Sequence, residues 1–231
     1  GQHPHKGFET VTIARQGEVA HRDSSGGGGT IQTGDVQWMT AGRGIVHEEF
    51  HSREFSAKGG PFEMVQLWVN LPAVHKNTPA AYQAIGTKEI PVLALPENSG
   101  SIRLIAGSYL DRLGPAKTFT EMNVWEVELS PDAKASLDLP LNHNLTLAVL
   151  RGQTAVNDEK NAVAAVSLVR FQPGGERLRL QAGPEGASIL LLSGVPLAEP
   201  VVGYGPFVMN SMAEIHQAFH EYEQGKFGSL F

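Results

Sequence analysis

Two short segments carry the residue types best suited to chemistry: His3-Pro4-His5 and His47-Glu48-Glu49. Along a β-strand, residues i and i+2 point to the same side. His3 and His5 therefore project together, as do His47 and Glu49. If their strands are neighbours, three imidazoles and a carboxylate converge. Such a borderline-to-hard donor set suits Fe(II), Mn(II), Ni(II), Cu(II) or Zn(II). Four protein donors leave an octahedral ion two open positions for substrate or oxygen. Glu9 shares the parity of His3 and His5, so five candidates compete for four places; Glu49 is preferred and Glu9 is the reserve. A single His-x-His pair is commonly a surface turn, whereas two i, i+2 pairs joined by a hairpin of suitable length favour a metal.

The composition agrees and removes other chemistries. The chain has 231 residues, nine histidines, no cysteine and a formal net charge of −6. Without cysteine there are no disulfides, thiolate zinc sites, iron–sulfur clusters or cysteine nucleophiles. A mildly acidic chain with scattered cations has no electrostatic reason to bind nucleic acid or an anionic membrane. No apolar run approaches the roughly 18 residues of a membrane span.

The elements that must position these residues read as short, period-2 strands bounded by Gly, Pro, Asn and Asp, which predicts an all-β sandwich or barrel. Trp125, Val127 and Leu129 alternate with Glu126 and Glu128; 62–71, 145–150 and 164–171 read as further strands. Residues 77–99, with three prolines, read as a loop-rich connection. One helix is predicted near the end: Ser211 and Glu214 form a capping box, Ile215, Ala218, Phe219 and Tyr222 a stripe, and Gly225 the stop. Gln16-Gly17 and Thr33-Gly34 bracket a hairpin with a turn near Asp23, and Arg151-Gly152 and Pro173-Gly174 bracket a similar one with a turn near Asp158. This weak repeat predicts two related modules. The offsets of the histidine motifs, counted from Gly152 and Gly174, land on Asp138, Pro140, Ala187 and Ile189, so the second module is expected to hold no metal.

Other candidates have plainer readings. His216 and His220, at i, i+4, lie on the exposed face of the helix; His51 is a solvated strand end; His21 is structural or at the surface; His75 and His143 are loop residues. Trp38, Met39 and Phe8 are core residues first and pocket walls second. Arg43, between Gly42 and Gly44, serves a tight turn or an internal ion pair. The glycine-rich turn at 24–29 predicts a mobile hairpin tip.

The segments 3–12 and 34–47, together with Gln66-Leu67-Trp68-Val69-Asn70-Leu71-Pro72, Gly114-Pro115-Ala116-Lys117-Thr118 and Gly205-Pro206-Phe207-Val208-Met209-Asn210, closely resemble the pirin family of the cupin superfamily. The resemblance implies two tandem cupin (jelly-roll) barrels, an N-terminal module over 1–115 and a C-terminal module over 116–231 with a short final helix. It implies one metal, usually iron, in the first module, with the ligand set on His3, His5, His47 and Glu49. It also implies oxidative cleavage of a flavonol such as quercetin by O2 with release of carbon monoxide, Glu49 taking the substrate proton. An alternative implied role is an iron-dependent, redox-responsive protein that binds transcription factors or metabolic enzymes without catalysis. The expected location is cytoplasmic. Family members carry a segment ahead of the His-Pro-His motif, so this chain, which starts at Gly1, is expected to be a fragment with His3 and His5 near a frayed end.

Overall fold

The structure is a computed structural model that describes residues 1–157, 159 and 161–230; the predicted turn at Asp158 lies outside the described residues. Chain contacts divide it into two units, Gly1–Glu89 with Leu197–Phe231, and Ile90–Pro196. The first boundary falls at 89/90, and the last segment of the chain belongs with the first unit.

The first unit contains β1 (His3–His5), β2 (Phe8–Gln16), β3 (Glu18–Asp23), β4 (Gly28–Gln32), β5 (Val36–Thr40), β6 (Ile45–Phe50), the short helix α1 (Arg53–Lys58), β7 (Glu63–Asn70) and β8 (Ala81–Ile85). They form two four-stranded sheets, in the orders β1-β6-β3-β4 and β7-β2-β5-β8. The chain passes from the first sheet to the second at Lys6-Gly7. Gly7 has φ +85°, and an added Cβ would meet the Val208 carbonyl oxygen at 2.0 Å, so the crossing needs glycine. The segment 77–99, expected to be loop-rich, includes β8 and the whole of the next unit's first strand, Val92–Ala94. The helix α1 has no long apolar stripe to announce it; Ser52 caps it by accepting from the Phe55 amide.

The second unit contains β9 (Val92–Ala94), β10 (Gly100–Ala106), β11 (Ser108–Tyr109), β12 (Arg112–Leu113), β13 (Met122–Leu129), β14 (Lys134–Asp138), β15 (Asn144–Val156), β16 (Val163–Ala164), β17 (Ser167–Arg170) and β18 (Arg177–Gly194). Its main sheet runs β16-β15-β18-β13-β10-β9, with β14 also on β18 and β17 on β15. The expected strand over 164–171 is split into β16 and β17 at Val166, which adopts φ 62°. Trp125, Val127 and Leu129 bury their face as the alternation predicts, beside Leu147, Ile189 and Leu191. Ala187 and Ile189, at the offsets where the first module has His47 and Glu49, belong to this apolar core.

The chain then returns to the first unit as β19 (Val202–Tyr204), β20 (Phe207–Met209) and α2 (Met212–Glu223). Ser211 caps α2 by accepting from the Glu214 amide, and Ile215 and Ala218 are buried. His216 and His220 face outward, as expected. Ile215, Ala218, Phe207, Met209 and Phe227 pack on Val46 of β6. The fastening is also polar. Buried Lys76 donates to the Gly7 carbonyl, Asn70 Oδ1 and the Val208 carbonyl, each at 2.8 Å, and burial pulls its ammonium down to about 8. Lys6 donates to the Arg43 carbonyl at 2.7 Å and pairs with Glu221. Arg43 itself sits in the tight turn between Gly42 and Gly44. Among the described residues no helix is long and apolar enough to cross a membrane.

Candidate metal centre

The register of β1 on β6 sets His3 opposite His47 and His5 opposite Ile45. Alternation on the two strands then aims all three imidazoles into the space between the sheets, while Glu48 turns out to pair with Arg22. His3 Nε2 and His47 Nε2 lie 2.9 Å apart, and the His5 ring centroid is 4.8 Å from each of the other two. One nitrogen from each of the three fits within 4.8 Å of the others. The other nitrogen of each ring is anchored: His3 Nδ1 donates to the Gly1 carbonyl at 3.0 Å, His5 Nδ1 to the Pro206 carbonyl at 3.4 Å, and His47 Nδ1 lies 3.4 Å from His21 Nδ1.

The electrostatics keep lone pairs available. Burial, then the neighbouring His3, lowers His5 to about 4. Burial, then His5, His3 and His21, lowers His47 to about 2, against the opposing charge of Asp23. Neutral, clustered imidazoles are the form that ligates metal. The donor set therefore fits a divalent transition ion.

Glu49 stands opposite His21 across β3 and β6. Its carboxylate accepts from Thr12 Oγ1 at 3.0 Å and Gln37 Nε2 at 3.1 Å on one oxygen, and from Gln66 Nε2 at 2.7 Å on the other. The three-imidazole group does not include it. Glu9 is on the other face of β2. Parity restarts at the Lys6-Gly7 crossing, so Thr12, three positions on, faces Glu49, and the Glu9 carboxyl instead accepts from Thr40 Oγ1 at 2.7 Å. Burial raises the Glu9 carboxyl against the Thr40 and Trp38 hydrogen bonds.

His21 is the residue whose role sequence reasoning missed. It is buried; its Nε2 lies 3.0 Å from Asp23 Oδ2, and its Nδ1 lies 3.2 Å from Gln37 Nε2. The i, i+2 spacing of His21 and Asp23 was the available signal. Burial alone would raise Asp23, but hydrogen bonds from His21, Ser25 and the Gly27 amide bring it down to about 2. Those same bonds tie the glycine-rich tip: Asp23 Oδ1 accepts from the Ser25 amide at 2.8 Å and the Gly27 amide at 3.0 Å, so the turn expected to be loose is held from within.

Aromatic rings line the imidazoles. Phe8 lies 5.0 Å from His5, and Trp68, half-exposed, packs 4.4 Å from Phe8 and 5.4 Å from His5. Tyr82 stacks on His21 at 5.0 Å, and burial with the Asp23 and Glu49 charges pushes its hydroxyl up to about 12. Trp68 and Tyr82 were not among the sequence candidates. Of those, Phe8 borders the site, Met39 packs with Ala41 and Ile45, and Trp38 is buried on the Glu9 face of β5, as the alternation from Gln37 requires. His51 is exposed against Phe55 and Phe62, and His143 lies 3.2 Å from Ser193 Oγ in the second unit.

Comparison with known proteins agrees with this architecture. The pirin family profile matches residues 1–69, and the profile of the pirin C-terminal cupin domain matches residues 124–228. A Pseudomonas aeruginosa protein named provisionally as a quercetin 2,3-dioxygenase is 52% identical over 98% of this chain and 78% of its own length. Pirin-1 of Arabidopsis thaliana is 38% identical over 98% of this chain and 77% of its own. The crystal structure of a quercetin 2,3-dioxygenase from Acinetobacter baumannii superposes with a TM-score of 0.96 at 54% identity, over 100% of this chain and 80% of that one. With its strands arranged as two cupin units and its sequence matched along nearly all its length, the chain belongs to the pirin family.

Proposed function

We propose that this chain is a metal-dependent dioxygenase that opens the ring of a flavonol such as quercetin with O2, with Fe(II) as the metal and His3, His5, His47 and Glu49 as the working residues. The observation that carries the reading is the convergence of three imidazoles beside the Phe8 and Trp68 rings. Mn, Ni, Cu or Zn would suit the same donors. The names borne by the Pseudomonas and Acinetobacter relatives point the same way.

A divalent ion held there supplies a Lewis acid that lowers the pKa of a substrate hydroxyl. The protein's own part is binding and proton movement. Phe8 and Trp68 offer flat apolar faces to an aromatic substrate. The Glu49 carboxylate receives the substrate's hydroxyl proton as general base. Thr12, Gln37 and Gln66 hold that carboxylate in place through three hydrogen bonds.

The test is to load the protein with Fe(II), add quercetin under air and follow the loss of its absorbance. Turnover that disappears in His47→Ala is expected; equal rates in the variant would refute the assignment.

A further inference from the structure

We infer that Asp23 and His21 form a relay behind the metal centre that sets the tautomer of His47, making His21 a positioning residue of the site proposed above. The inference rests on that site being a metal centre. Its observations are independent of the metal.

The hydrogen-bond roles can be assigned by elimination. Asp23 Oδ2 only accepts, so the His21 nitrogen 3.0 Å away, Nε2, carries the proton. A neutral His21 then has its lone pair on Nδ1. Gln37 is oriented by its neighbours: its Oε1 accepts from the Tyr82 hydroxyl at 3.3 Å, and its amide nitrogen donates to Glu49 at 3.1 Å. The remaining amide proton of Gln37 points at His21 Nδ1, 3.2 Å away, which agrees with a lone pair there. His47 Nδ1, 3.4 Å away, shares this one lone pair with the Gln37 amide in a bifurcated hydrogen bond.

The relay favours the His47 tautomer with a proton on Nδ1 and a lone pair on Nε2, the nitrogen that faces His3 across 2.9 Å. The other two imidazoles reach the same result with backbone carbonyls, of Gly1 and Pro206. At His47 a carboxylate-backed imidazole stands where a carbonyl would do, so the group behind this ring is polarisable and its acceptor strength depends on Asp23. The register explains the placement: β3 lies directly beside β6, with Asp23 opposite His47 and His21 opposite Glu49.

Asp23→Asn discriminates this role from simple packing. The asparagine carbonyl can still accept from the Ser25 and Gly27 amides. Its NH2 would face His21 Nε2, so His21 should move its proton to Nδ1 and cease to accept from His47. His21→Phe removes the acceptor while keeping a ring, and His21→Gln restores an acceptor. The experiment titrates Zn(II), a diamagnetic probe, into metal-free wild type and the three variants, with 15N-detected histidine spectra of the zinc-loaded forms. Zn(II) affinity should fall about 10- to 100-fold in His21→Phe and in Asp23→Asn, and recover in His21→Gln. The wild-type spectrum should show His47 protonated at Nδ1 and His21 at Nε2. Wild-type affinity in both His21→Phe and Asp23→Asn, or a wild-type His21 protonated at Nδ1, would overturn the relay and leave the metal centre standing. Absence of Zn(II) binding by wild type would overturn both.

Discussion

Metal-free protein should lose stability between pH 7.5 and 5.5, and the loss should trace to the clustered imidazoles. Histidine titrates near 6.5 in an unfolded chain, whereas burial and mutual repulsion hold His5 at about 4 and His47 at about 2 in the folded one. Groups whose pKa falls on folding bind fewer protons in the native state. Their contribution is intact above the unfolded value and is lost as the pH drops toward the folded one. At pH 5.5 each neutral imidazole costs about 1.4 kcal/mol relative to its protonated unfolded form, or about 3 kcal/mol for the pair. For a chain of this size that lowers Tm by roughly 6–12 °C. Asp23, held near 2, acts only below its ordinary value of 3.8 and so lies outside this window. The raised Glu9 carboxyl works in the opposite direction, but it is common to any pair of chains compared. The assay is thermal unfolding of chelator-treated wild type and His47→Gln at the two pH values. The variant should show about half the wild-type loss. Identical pH dependence in the two chains would refute the reasoning, because it would put the proton uptake elsewhere.

Further outcomes can be checked in the same preparations. Zn(II) at about 100 times its dissociation constant should raise wild-type stability by about 2.7 kcal/mol, and the gain should vanish in His47→Ala, as read by thermal shift. Lys76→Met leaves three acceptors, the Gly7 and Val208 carbonyls and Asn70 Oδ1, without their donor; a loss of about 3 kcal/mol or more is expected in denaturant unfolding. Ile189→Ala, in the apolar core of the second unit, should cost about 2–5 kcal/mol while leaving Zn(II) affinity within about twofold, as calorimetry would show. Glu49→Gln should reduce quercetin turnover at least about 100-fold while changing Zn(II) affinity far less; loss of both together would make Glu49 a ligand first.

The three imidazoles were legible in the sequence because the relevant geometry is local. Two residues apart on one strand is one face, and His3-Pro4-His5 and His47-Glu48-Glu49 needed only neighbouring strands to meet. Glu9 misled because parity holds only while a strand continues, and the chain changes sheets at Gly7. His21 and Asp23 were hidden for a different reason. Their role depends on β3 lying beside β6 in a particular register, which is long-range information. The all-β pattern, the α2 cap and the alternation around Trp125 were readable from periodicity and turn chemistry. The return of the last segment to the first unit was not, since it rests on Lys76, Lys6 and Phe207 meeting partners far away in the chain. The short α1 helix escaped because its Ser52 cap and Glu54 occupy a stretch with no apolar period.

The most direct test is the gas balance of the Fe(II)-loaded protein acting on quercetin under air. The three-imidazole centre acting as a flavonol dioxygenase predicts one O2 consumed and one carbon monoxide released for each quercetin lost, with none of this in His47→Ala. Quercetin loss without carbon monoxide, or at the same rate in His47→Ala, would contradict it.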